Sequence, residues 1–339
     1  MSDLDTARLG AWLAAHVPGA GAITREQRLE GGQSNPTYRL DTENGSYVLR
    51  RKPVGALLPS AHQVDREYRV IAALHPTGFP VPRPYGLCMD DDVIGSAFYV
   101  MAMVEGRTIW DGTMPDLAPD QRRAHYEAMI DTLADLHNTD HVAIGLEDYG
   151  RPGNYFERQV ARWTKQYRGA ETEPMPAMER LIDFLPRTVP AQERTSIVHG
   201  DYRVDNLRFA PGTEPRVAAV LDWELSTLGD PVADLTYFLM SWVTEPEGRS
   251  GVLGRTGPVT GIPEMTEMLE RYCARTQRSA PIALDWYFAF NLFRLAGIVQ
   301  GIKKRIVTGT AANPRAHETA ARMGGLVDAA WHFAQRAGA

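Results

Sequence analysis

Cysteine is scarce in this 339-residue sequence, which contains only Cys88 and Cys273, far apart along the chain. Two distant thiols exclude a disulfide framework and a zinc site built from four cysteines. The nine histidines include no H-E-x-x-H pair, so the sequence indicates no transition-metal site. We interpret both cysteines as packing residues.

Long apolar runs and a basic leader are also missing. No run of apolar residues reaches the ~18 that a membrane-spanning helix requires. The first five residues, MSDLD, are acidic and lack the basic and apolar regions of a signal peptide. We therefore predict a cytoplasmic protein that has no membrane as a partner.

Positive charge is not in excess, because 36 lysines and arginines face 42 aspartates and glutamates, and the formal net charge is -6 at pH 7. This balance argues against a broad electrostatic affinity for nucleic acid. Hydrophobic residues make up 44% and charged residues 23%, as in ordinary globular proteins. The length predicts about two domains of ~150 residues each, and the oligomeric state is left open.

Polar residues follow two short apolar stretches in the second half of the sequence. The first stretch, at 197–198, leads into the turn HGDYRVDN at 199–206, and the second, at 217–221, ends in the tripeptide DWE. Four residues separate Asp201 from Asn206, the spacing at which the H-R-D-x-x-x-x-N loop of protein kinases places a proton-accepting Asp and a metal-binding Asn. Asp222 follows the second stretch, where a second metal-binding carboxylate would be needed.

These residue types suit phosphoryl transfer from ATP, which requires an oriented hydroxyl group and a metal that bridges the phosphates. We predict Asp201 as the group that accepts the hydroxyl proton. Asn206 and Asp222 offer the oxygen ligands that Mg²⁺ prefers. A simple turn rich in Asp and Asn would also explain the first motif, but the order in which separate pieces recur along the chain favours the catalytic interpretation.

The motif at 199–206, with DWE at 222–224 and GDPVADL at 229–235, resembles the aminoglycoside phosphotransferase superfamily of kinase-like small-molecule kinases. The resemblance extends from about residue 31 to residue 305. The segments GGQSNPTY (31–38), YVLRRKP (47–53) and FRLAGIVQG (293–301) resemble the branch that is also found fused to acyl-CoA dehydrogenases.

This resemblance implies an α+β, protein-kinase-like fold of two lobes. The small N-terminal nucleotide-binding lobe, residues 1–103, would contain an antiparallel sheet and one helix. The larger and mainly helical lobe, residues 104–339, would carry the catalytic groups and the acceptor site. Within it we predict that His137 is a packed, hydrogen-bonded histidine and that Asp234 supports the catalytic loop through backbone hydrogen bonds.

The resemblance also implies ATP and Mg²⁺ as cofactors. The turn after residue 30 would close over the phosphates, although it lacks a G-x-G-x-x-G pattern. The strand at 45–50 would offer a cation to the phosphates, and either of two basic residues on one face of that strand could do so. An acid on the following helix would orient this cation, and backbone groups near residue 103 would pair with adenine. The predicted nucleotide-binding residues are Ser34, Asn35, Arg50, Lys52, Glu67, Ala102 and Val104.

The resemblance further implies that the helix at 154–167 forms one wall of the acceptor site. The predicted acceptor-binding residues are Arg158, Arg162, Trp163, Glu224 and Arg294. Because arginines would repel a polycation, we favour a metabolite such as a hydroxyacyl-CoA over an aminoglycoside as the small-molecule hydroxyl acceptor. A non-catalytic nucleotide-binding protein is the alternative. A protein kinase is disfavoured by Gly200 in place of Arg and by the lack of an activation segment.

Overall fold

The computed structural model describes residues 4–29, 35–53, 63–246, 250–281, 283–311 and 315–339. Strands dominate the first hundred residues and helices the rest. The first part consists of α1 (Thr6–His16), β1 (Ile23–Arg28), β2 (Thr37–Thr42), β3 (Gly45–Arg51), α2 (Val64–Leu74), β4 (Pro84–Cys88), α3 (Asp91–Ile94) and β5 (Phe98–Ala102). The second part consists of β6 (Arg107–Thr108), α4 (Pro119–Asn138), α5 (Tyr155–Ala170), α6 (Pro176–Arg187), β7 (Ser196–Val198), β8 (Leu207–Phe209), β9 (Val217–Val220), β10 (Thr227–Gly229), α7 (Val232–Leu239), α8 (Met265–Thr276), α9 (Leu284–Val307), α10 (Ala316–Ala321) and α11 (Met323–Arg336).

The N-terminal part is built on a five-stranded antiparallel sheet with the order β1-β2-β3-β5-β4. A two-residue turn joins β2 to β3, because Thr42 pairs with Gly45. Strand β3 is central and places Arg50 opposite Tyr99 of β5. This register fixes where the basic end of β3 lies.

The two faces of this sheet bury different partners, because successive side chains of a strand point to opposite faces. Leu49 and Val100 cluster with the buried residues of α1. Val48 and Tyr99 cluster with the buried residues of α2 and of the C-terminal part. Arg50 is two residues after Val48 and therefore points toward α2 and the cleft between the two parts of the molecule.

Helix α9 forms the centre of the C-terminal part. It is buried on most of its circumference from Trp286 to Gln300, as expected for a helix that other helices surround. Helices α5, α7 and α11 pack against it. Helix α8 packs against α4, where Arg271 Nε lies 2.7 Å from Asp131 Oδ1.

Two small sheets bring the loops of the motif together. Strand β7 pairs with β10, and β8 lies between β6 and β9. The loops after β7 and after β9 therefore lie side by side at the cleft. Gly106 leads from the first part into β6 with φ +140°, and a Cβ atom there would lie 2.0 Å from the carbonyl oxygen of Phe209. This close approach requires glycine.

The predicted α+β fold with two lobes is confirmed. The small lobe contains α1 and α3 in addition to α2, the one helix that the family resemblance implies there. Helix α2 begins at Val64, because Gln63 has a non-helical backbone. Helix α4 begins at Pro119, because proline suits the first turn and the Gln121 side chain accepts a hydrogen bond from the Ala118 N–H.

Candidate active site

Asp234, at the start of α7, accepts hydrogen bonds from the backbone of the loop after β7. The N–H groups of His199 and Gly200 donate to the two carboxylate oxygens of Asp234 at 2.6 and 2.8 Å. His137 Nε2 lies 3.4 Å from the same carboxylate, and His137 Nδ1 lies 2.6 Å from Tyr272 Oη. The predicted supporting role of Asp234 and the packed environment of His137 are therefore confirmed.

The backbone conformation of Gly200 sets the path of the loop after β7. Its φ is +85°, and a Cβ atom there would lie 2.7 Å from the carbonyl oxygen of Leu225. A glycine is needed for both reasons, because other residues rarely adopt this backbone and none would have room. The loop can therefore lie directly against the segment after β9, where His199 Nε2 is 2.9 Å from Leu221 O.

Asp201 and Asn206 are brought into direct contact. Asn206 Nδ2 donates to Asp201 Oδ2 at 2.9 Å and to the backbone oxygen of Asp201 at 2.8 Å. Arg203 Nε lies 3.4 Å from the same carboxylate oxygen, and Arg203 Nη2 lies 3.2 Å from Asp205 Oδ2. The amide nitrogen of Asn206 donates to Asp201. Its amide oxygen therefore points away from Asp201 and can ligate a cation.

Arg50 crosses the cleft and joins the two lobes. Its Nε lies 2.9 Å from Glu67 Oε2 of α2, and its Nη2 lies 2.6 Å from Asp222 Oδ1 and 3.5 Å from Glu224 Oε2. Burial alone would lower the pKa of Arg50, but Glu67 and the other nearby acids raise it above its ordinary value. The guanidinium therefore remains charged at every physiological pH.

Glu67 is almost fully buried, with 1% of its surface exposed. Burial raises its pKa to about 7, against the lowering effect of Arg50. Asn35 Nδ2 and Tyr99 Oη donate to its two oxygens at 2.6 and 3.2 Å. Two hydrogen-bond donors and the ion pair with Arg50 thus fix the Glu67 carboxyl group, and with it the direction of Arg50.

Asp222 has a left-handed backbone, with φ +64°. This conformation is uncommon outside glycine and clusters at functional sites. It turns Asp222 toward Arg50 directly after β9. Asp222 and the Asn206 amide are hard oxygen donors of the kind that suits Mg²⁺, with phosphate oxygens and water to complete the coordination. The residues present therefore fit the predicted metal.

A cavity of about 180 Å³, here called the cleft cavity, lies between the N-terminal sheet and β9. Val48, Met101 and Val220 give it apolar walls, and Asp222 also lines it. Ala102, Met103 and Val104 line the cavity as well. Among the described residues the Val104 N–H has no acceptor, whereas the Ala102 N–H donates to Arg83 O at 2.8 Å.

The structure gathers part of the predicted acceptor site. Arg294 is 8% exposed, its Nη2 donates to Gly200 O, and its guanidinium carbon lies 5.6 Å from the ring centre of Trp163. The guanidinium carbon of Arg162 lies at the same distance from that ring. Burial lowers the pKa of Arg162, and the neighbouring Arg294 adds to this effect. Two cations and an indole therefore lie beside the loop that carries Asp201.

Other predicted residues lie elsewhere. Arg158 donates to the backbone oxygens of Gly153 and Arg151 and closes the loop before α5. Glu224 lies beside Arg50 rather than beside the two cations. Lys52 follows the end of β3, where its N–H donates to Ala97 O at 2.9 Å. Ser34 lies outside the described residues.

Sequence reasoning did not single out Arg203 or Tyr99 for the site. Arg203 lies inside the motif, between Asp201 and Asp205, and its charge between two acids was a usable signal. Tyr99 shares a face of β5 with Met101, so strand alternation could have placed it on the cleft side. The contact of Tyr99 with Glu67 joins elements that are distant in sequence.

A small sheet-based lobe and a helical lobe, with a carboxylate–amide pair and a strand-end carboxylate in the cleft between them, define a small-molecule phosphotransferase of the protein-kinase-like class. The family model described as the phosphotransferase enzyme family matches residues 25–268, and the chain belongs to this family. The predicted superfamily is thereby confirmed.

Relatives of the chain support the predicted branch. Acyl-CoA dehydrogenase family member 10 of Mus musculus is 44% identical over 314 residues, which cover 92% of this chain and 29% of that protein. Acyl-CoA dehydrogenase family member 11 of Homo sapiens is 43% identical over 316 residues, covering 90% of this chain and 40% of that protein. The chain thus spans less than half the length of these relatives.

Two solved structures have the same fold as this chain. A crystal structure from Ralstonia eutropha JMP134, provisionally described as an aminoglycoside phosphotransferase, has a TM-score of 0.89 and 46% identity, covering 98% of this chain and 99% of that chain. An aminoglycoside phosphotransferase in a ternary complex with AMP-PNP and hygromycin B has a TM-score of 0.62 and 14% identity, covering 96% and 98%, and shares the fold. No helix in the described part of the chain is both long and apolar enough to cross a membrane.

Proposed function

We propose that the protein transfers the γ-phosphoryl group of ATP to a hydroxyl group of a small anionic metabolite. The observation that carries this proposal is the arrangement in the cleft. Asp201 and Asn206 are hydrogen-bonded to each other, and Arg50 joins Glu67 of one lobe to Asp222 of the other. Phosphoryl transfer needs a proton acceptor, metal ligands and a phosphate-binding cation within one cleft.

In this proposal Asp201 accepts the proton of the acceptor hydroxyl. Asn206 and Arg203 fix the orientation of its carboxylate, and Asp234 fixes the backbone that carries it. Mg²⁺, when bound, supplies positive charge to the phosphates, and Asn206 and Asp222 would hold it. Positioning and charge stabilisation then account for most of the rate enhancement.

Residues 1–103 act as the nucleotide-binding lobe, and residues 104–339 as the catalytic and acceptor-binding lobe. Arg50, rather than Lys52, contacts phosphate, because its guanidinium lies in the cleft beside Asp222. Glu67 orients that cation. The carbonyl oxygen of Ala102 and the N–H of Val104 pair with adenine in the cleft cavity.

The acceptor is anionic in this proposal, because Arg162 and Arg294 flank Trp163 beside the loop that carries Asp201. A hydroxyacyl-CoA joins a hydroxyl group to an anionic carrier, and the names of the relatives associate this branch with acyl-CoA dehydrogenases. An aminoglycoside is the competing acceptor, because a similar structure is provisionally described as an aminoglycoside phosphotransferase. Its multiple positive charges would face these two arginines at an energetic cost.

Replacing Asp201 by Asn or Ala tests the proposed base. Transfer from labelled ATP should fall by ~10²-fold to 10⁴-fold, because a positioned general base contributes about that much. Binding of ADP should change by less than about twofold, since Asp201 faces the acceptor. The matched control is D183N, which removes a surface carboxylate that lies 2.7 Å from Arg187. Turnover of a verified acceptor by D201A at the wild-type rate would show that another group is the base.

The acceptor class is tested by a panel of hydroxyacyl-CoAs, free hydroxy acids and aminoglycosides, with labelled ATP as donor. Transfer to anionic acceptors and not to aminoglycosides is expected. Replacement of Arg294 by Met should raise the KM for the anionic acceptor more than the KM for ATP. ATP binding without transfer to any acceptor would instead support the non-catalytic alternative.

A further inference from the structure

Helix α2 carries Glu67, and two arginines near Glu67 on this helix reach the larger lobe. Arg66 and Arg69 are three residues apart and therefore share one face of the helix. Arg66 Nη2 donates to Tyr149 O at 2.6 Å and to Ser226 O at 3.4 Å. Arg69 Nη2 donates to a backbone oxygen of the loop that precedes Tyr149, at 2.9 Å. Helix α2 is thus tied to two segments of the larger lobe.

Tyr149 is fully buried and contacts both α2 and the segment after β9. The guanidinium carbon of Arg66 lies 4.3 Å from the centre of its ring, and the Tyr149 hydroxyl group donates to Arg66 O at 3.2 Å. Tyr149 Oη also lies 2.6 Å from Ser226 Oγ. Burial raises the pKa of Tyr149 to about 12, so the hydroxyl group keeps its proton at neutral pH. One side chain therefore joins the two segments.

The position of Tyr149 is fixed relative to the turn that follows Asp222. Ser226 closes this turn, because its Oγ and its backbone N–H donate to Trp223 O at 2.6 and 3.0 Å. The loop that carries Tyr149 lies directly against β10, since a Cβ atom at Gly150 would lie 2.4 Å from a side-chain oxygen of that strand. A displacement of α2 would therefore have to break its contacts with Tyr149.

The two segments that Tyr149 joins also carry the two acids that hold Arg50. Glu67 follows Arg66 in α2, and Asp222 immediately precedes the turn that Ser226 closes. Arg50 Nε lies 2.9 Å from Glu67 Oε2, and Arg50 Nη2 lies 2.6 Å from Asp222 Oδ1. Because one rigid guanidinium spans both acids, a shift of α2 relative to the turn would pull one of them away from Arg50.

We propose that Tyr149 is a positioning residue for Arg50, an inference that rests on the proposed function because it takes Arg50 as the phosphate-binding cation. Tyr149 fixes α2 against the turn after Asp222, so that Glu67 and Asp222 orient the guanidinium before a nucleotide binds. A group that is already ordered costs less to use when the ligand arrives. A tyrosine that only filled the core would affect stability and leave phosphate binding unchanged.

The test measures dissociation constants of ADP and adenosine by competition against a fluorescent ADP analogue. Y149F removes the hydroxyl group and keeps the ring, and Ser226 Oγ still has Trp223 O as its acceptor. We expect Y149F to weaken ADP binding about fivefold, as for the loss of one or two hydrogen bonds. Adenosine binding should change by less than about twofold, because adenosine has no phosphate for Arg50 to contact.

The matched control is Y126F, which makes the same substitution at another buried tyrosine. The Tyr126 hydroxyl group donates to Gly112 O at 2.7 Å and makes no hydrogen bond to α2. Y126F should lower the midpoint of thermal unfolding about as much as Y149F does, because each variant loses buried hydrogen bonding. Both dissociation constants of Y126F should equal those of the wild type.

A double variant shows whether Tyr149 acts through Arg50. R50M lacks the guanidinium, so adding Y149F to R50M should not weaken ADP binding further. A second fivefold loss in the R50M background would mean that Tyr149 acts by another route and would overturn the proposal. R66M removes the same link from the side of α2 and serves if Y149F does not fold.

The ligand pattern separates this proposal from the proposed function. Equal losses for ADP and adenosine in Y149F, or unchanged constants in both Y149F and R66M, would reduce Tyr149 to a core residue. The proposed function would remain intact in either case, because the wild type binds ADP. If the wild-type protein bound neither ligand, the proposed function itself would fall, and the role of Tyr149 with it.

Discussion

Replacing Asp234 by Ala should destabilise the protein and disable its catalytic loop together. Asp234 is 1% exposed and accepts the N–H groups of His199 and Gly200 at 2.6 and 2.8 Å. Burial alone would raise the pKa of Asp234, but its hydrogen bond with His137, the nearby histidines and the Gly200 N–H lower it below its ordinary value. The carboxylate is therefore ionised at neutral pH and serves both N–H groups at once.

The expected loss in the free energy of unfolding follows from the two backbone N–H groups that lose their acceptor. A buried donor left without a partner costs about 1 to 3 kcal/mol, so D234A should lose about 2 to 6 kcal/mol of its free energy of unfolding. D234N keeps one acceptor oxygen and should lose about half as much. Typical stabilities are about 5 to 15 kcal/mol, so the alanine variant would remain folded but with little margin.

Asp201 follows the two residues that Asp234 holds, so the loop should shift when the carboxylate is removed. A misplacement of about 1 Å can cost ~10²-fold in rate, and we expect a loss of that order in kcat for D234A. ADP binding should change little, because Arg50 and the cleft cavity do not depend on Asp234. Denaturant unfolding followed by circular dichroism gives the stability, and coupled ADP release gives the kinetics.

The control for D234A is D135A, which removes a half-exposed carboxylate 2.7 Å from Arg275. A surface ion pair contributes at most about 1 kcal/mol, so this variant should behave almost as the wild type does. If D234A were as stable as D135A, or if it lost stability while keeping its full kcat, the hydrogen bonds of Asp234 would not hold the loop in the way argued here.

Two further predictions concern Arg50 and Asp230. R50K should raise the KM for ATP about tenfold, because an ammonium group cannot reach Glu67 and Asp222 together with the rigid fork that the guanidinium provides. An unchanged KM would contradict the argument that the fork of Arg50 is needed to bind phosphate. Burial raises the pKa of Asp230 to about 6, so the folded protein holds this proton more tightly than the unfolded chain, and the contribution of Asp230 to stability falls as the pH rises from about 4 to about 6. D230N should therefore gain up to about 3 kcal/mol relative to the wild type above pH 6, and a stability difference that does not vary with pH would contradict this assignment.

Local sequence patterns were enough to predict much of the fold. Apolar spacing and flanking residues predict helices at 6–16 and 265–276, and α1 and α8 have these bounds. The motif around Asp201 also specified its own geometry, because a short loop between two strands leaves few ways to place Asp201 and Asn206. The support by Asp234 was predictable for a different reason, because the motif GDPVADL at 229–235 is part of the family resemblance, although Asp234 is 34 and 35 residues away from the two residues it holds.

Contacts between distant segments were not predictable in this way. Arg50 and Asp222 are far apart in sequence, and only the meeting of two lobes brings them within 2.6 Å. Glu224 was expected at the acceptor, but it lies beside Arg50 because the segment after β9 turns toward the N-terminal sheet. Arg158 was expected there too, but its guanidinium satisfies backbone oxygens of its own loop, a local demand that the spacing of arginines does not reveal.

The acids around Arg50 can accept more hydrogen bonds than its guanidinium can donate. This imbalance leaves carboxylate oxygens in the cleft for another ligand. One guanidinium faces Glu67, Asp222 and Glu224, so this cluster has more carboxylate oxygens than Arg50 can neutralise, and such oxygens suit a divalent cation. Under the proposed function, phosphate oxygens compete with Asp222 for Nη2 of Arg50. Each contact that Asp222 gives up frees a carboxylate oxygen for Mg²⁺. Nε can meanwhile stay on Glu67, so the fork of an arginine can couple phosphate binding to the release of a metal ligand without losing its own orientation.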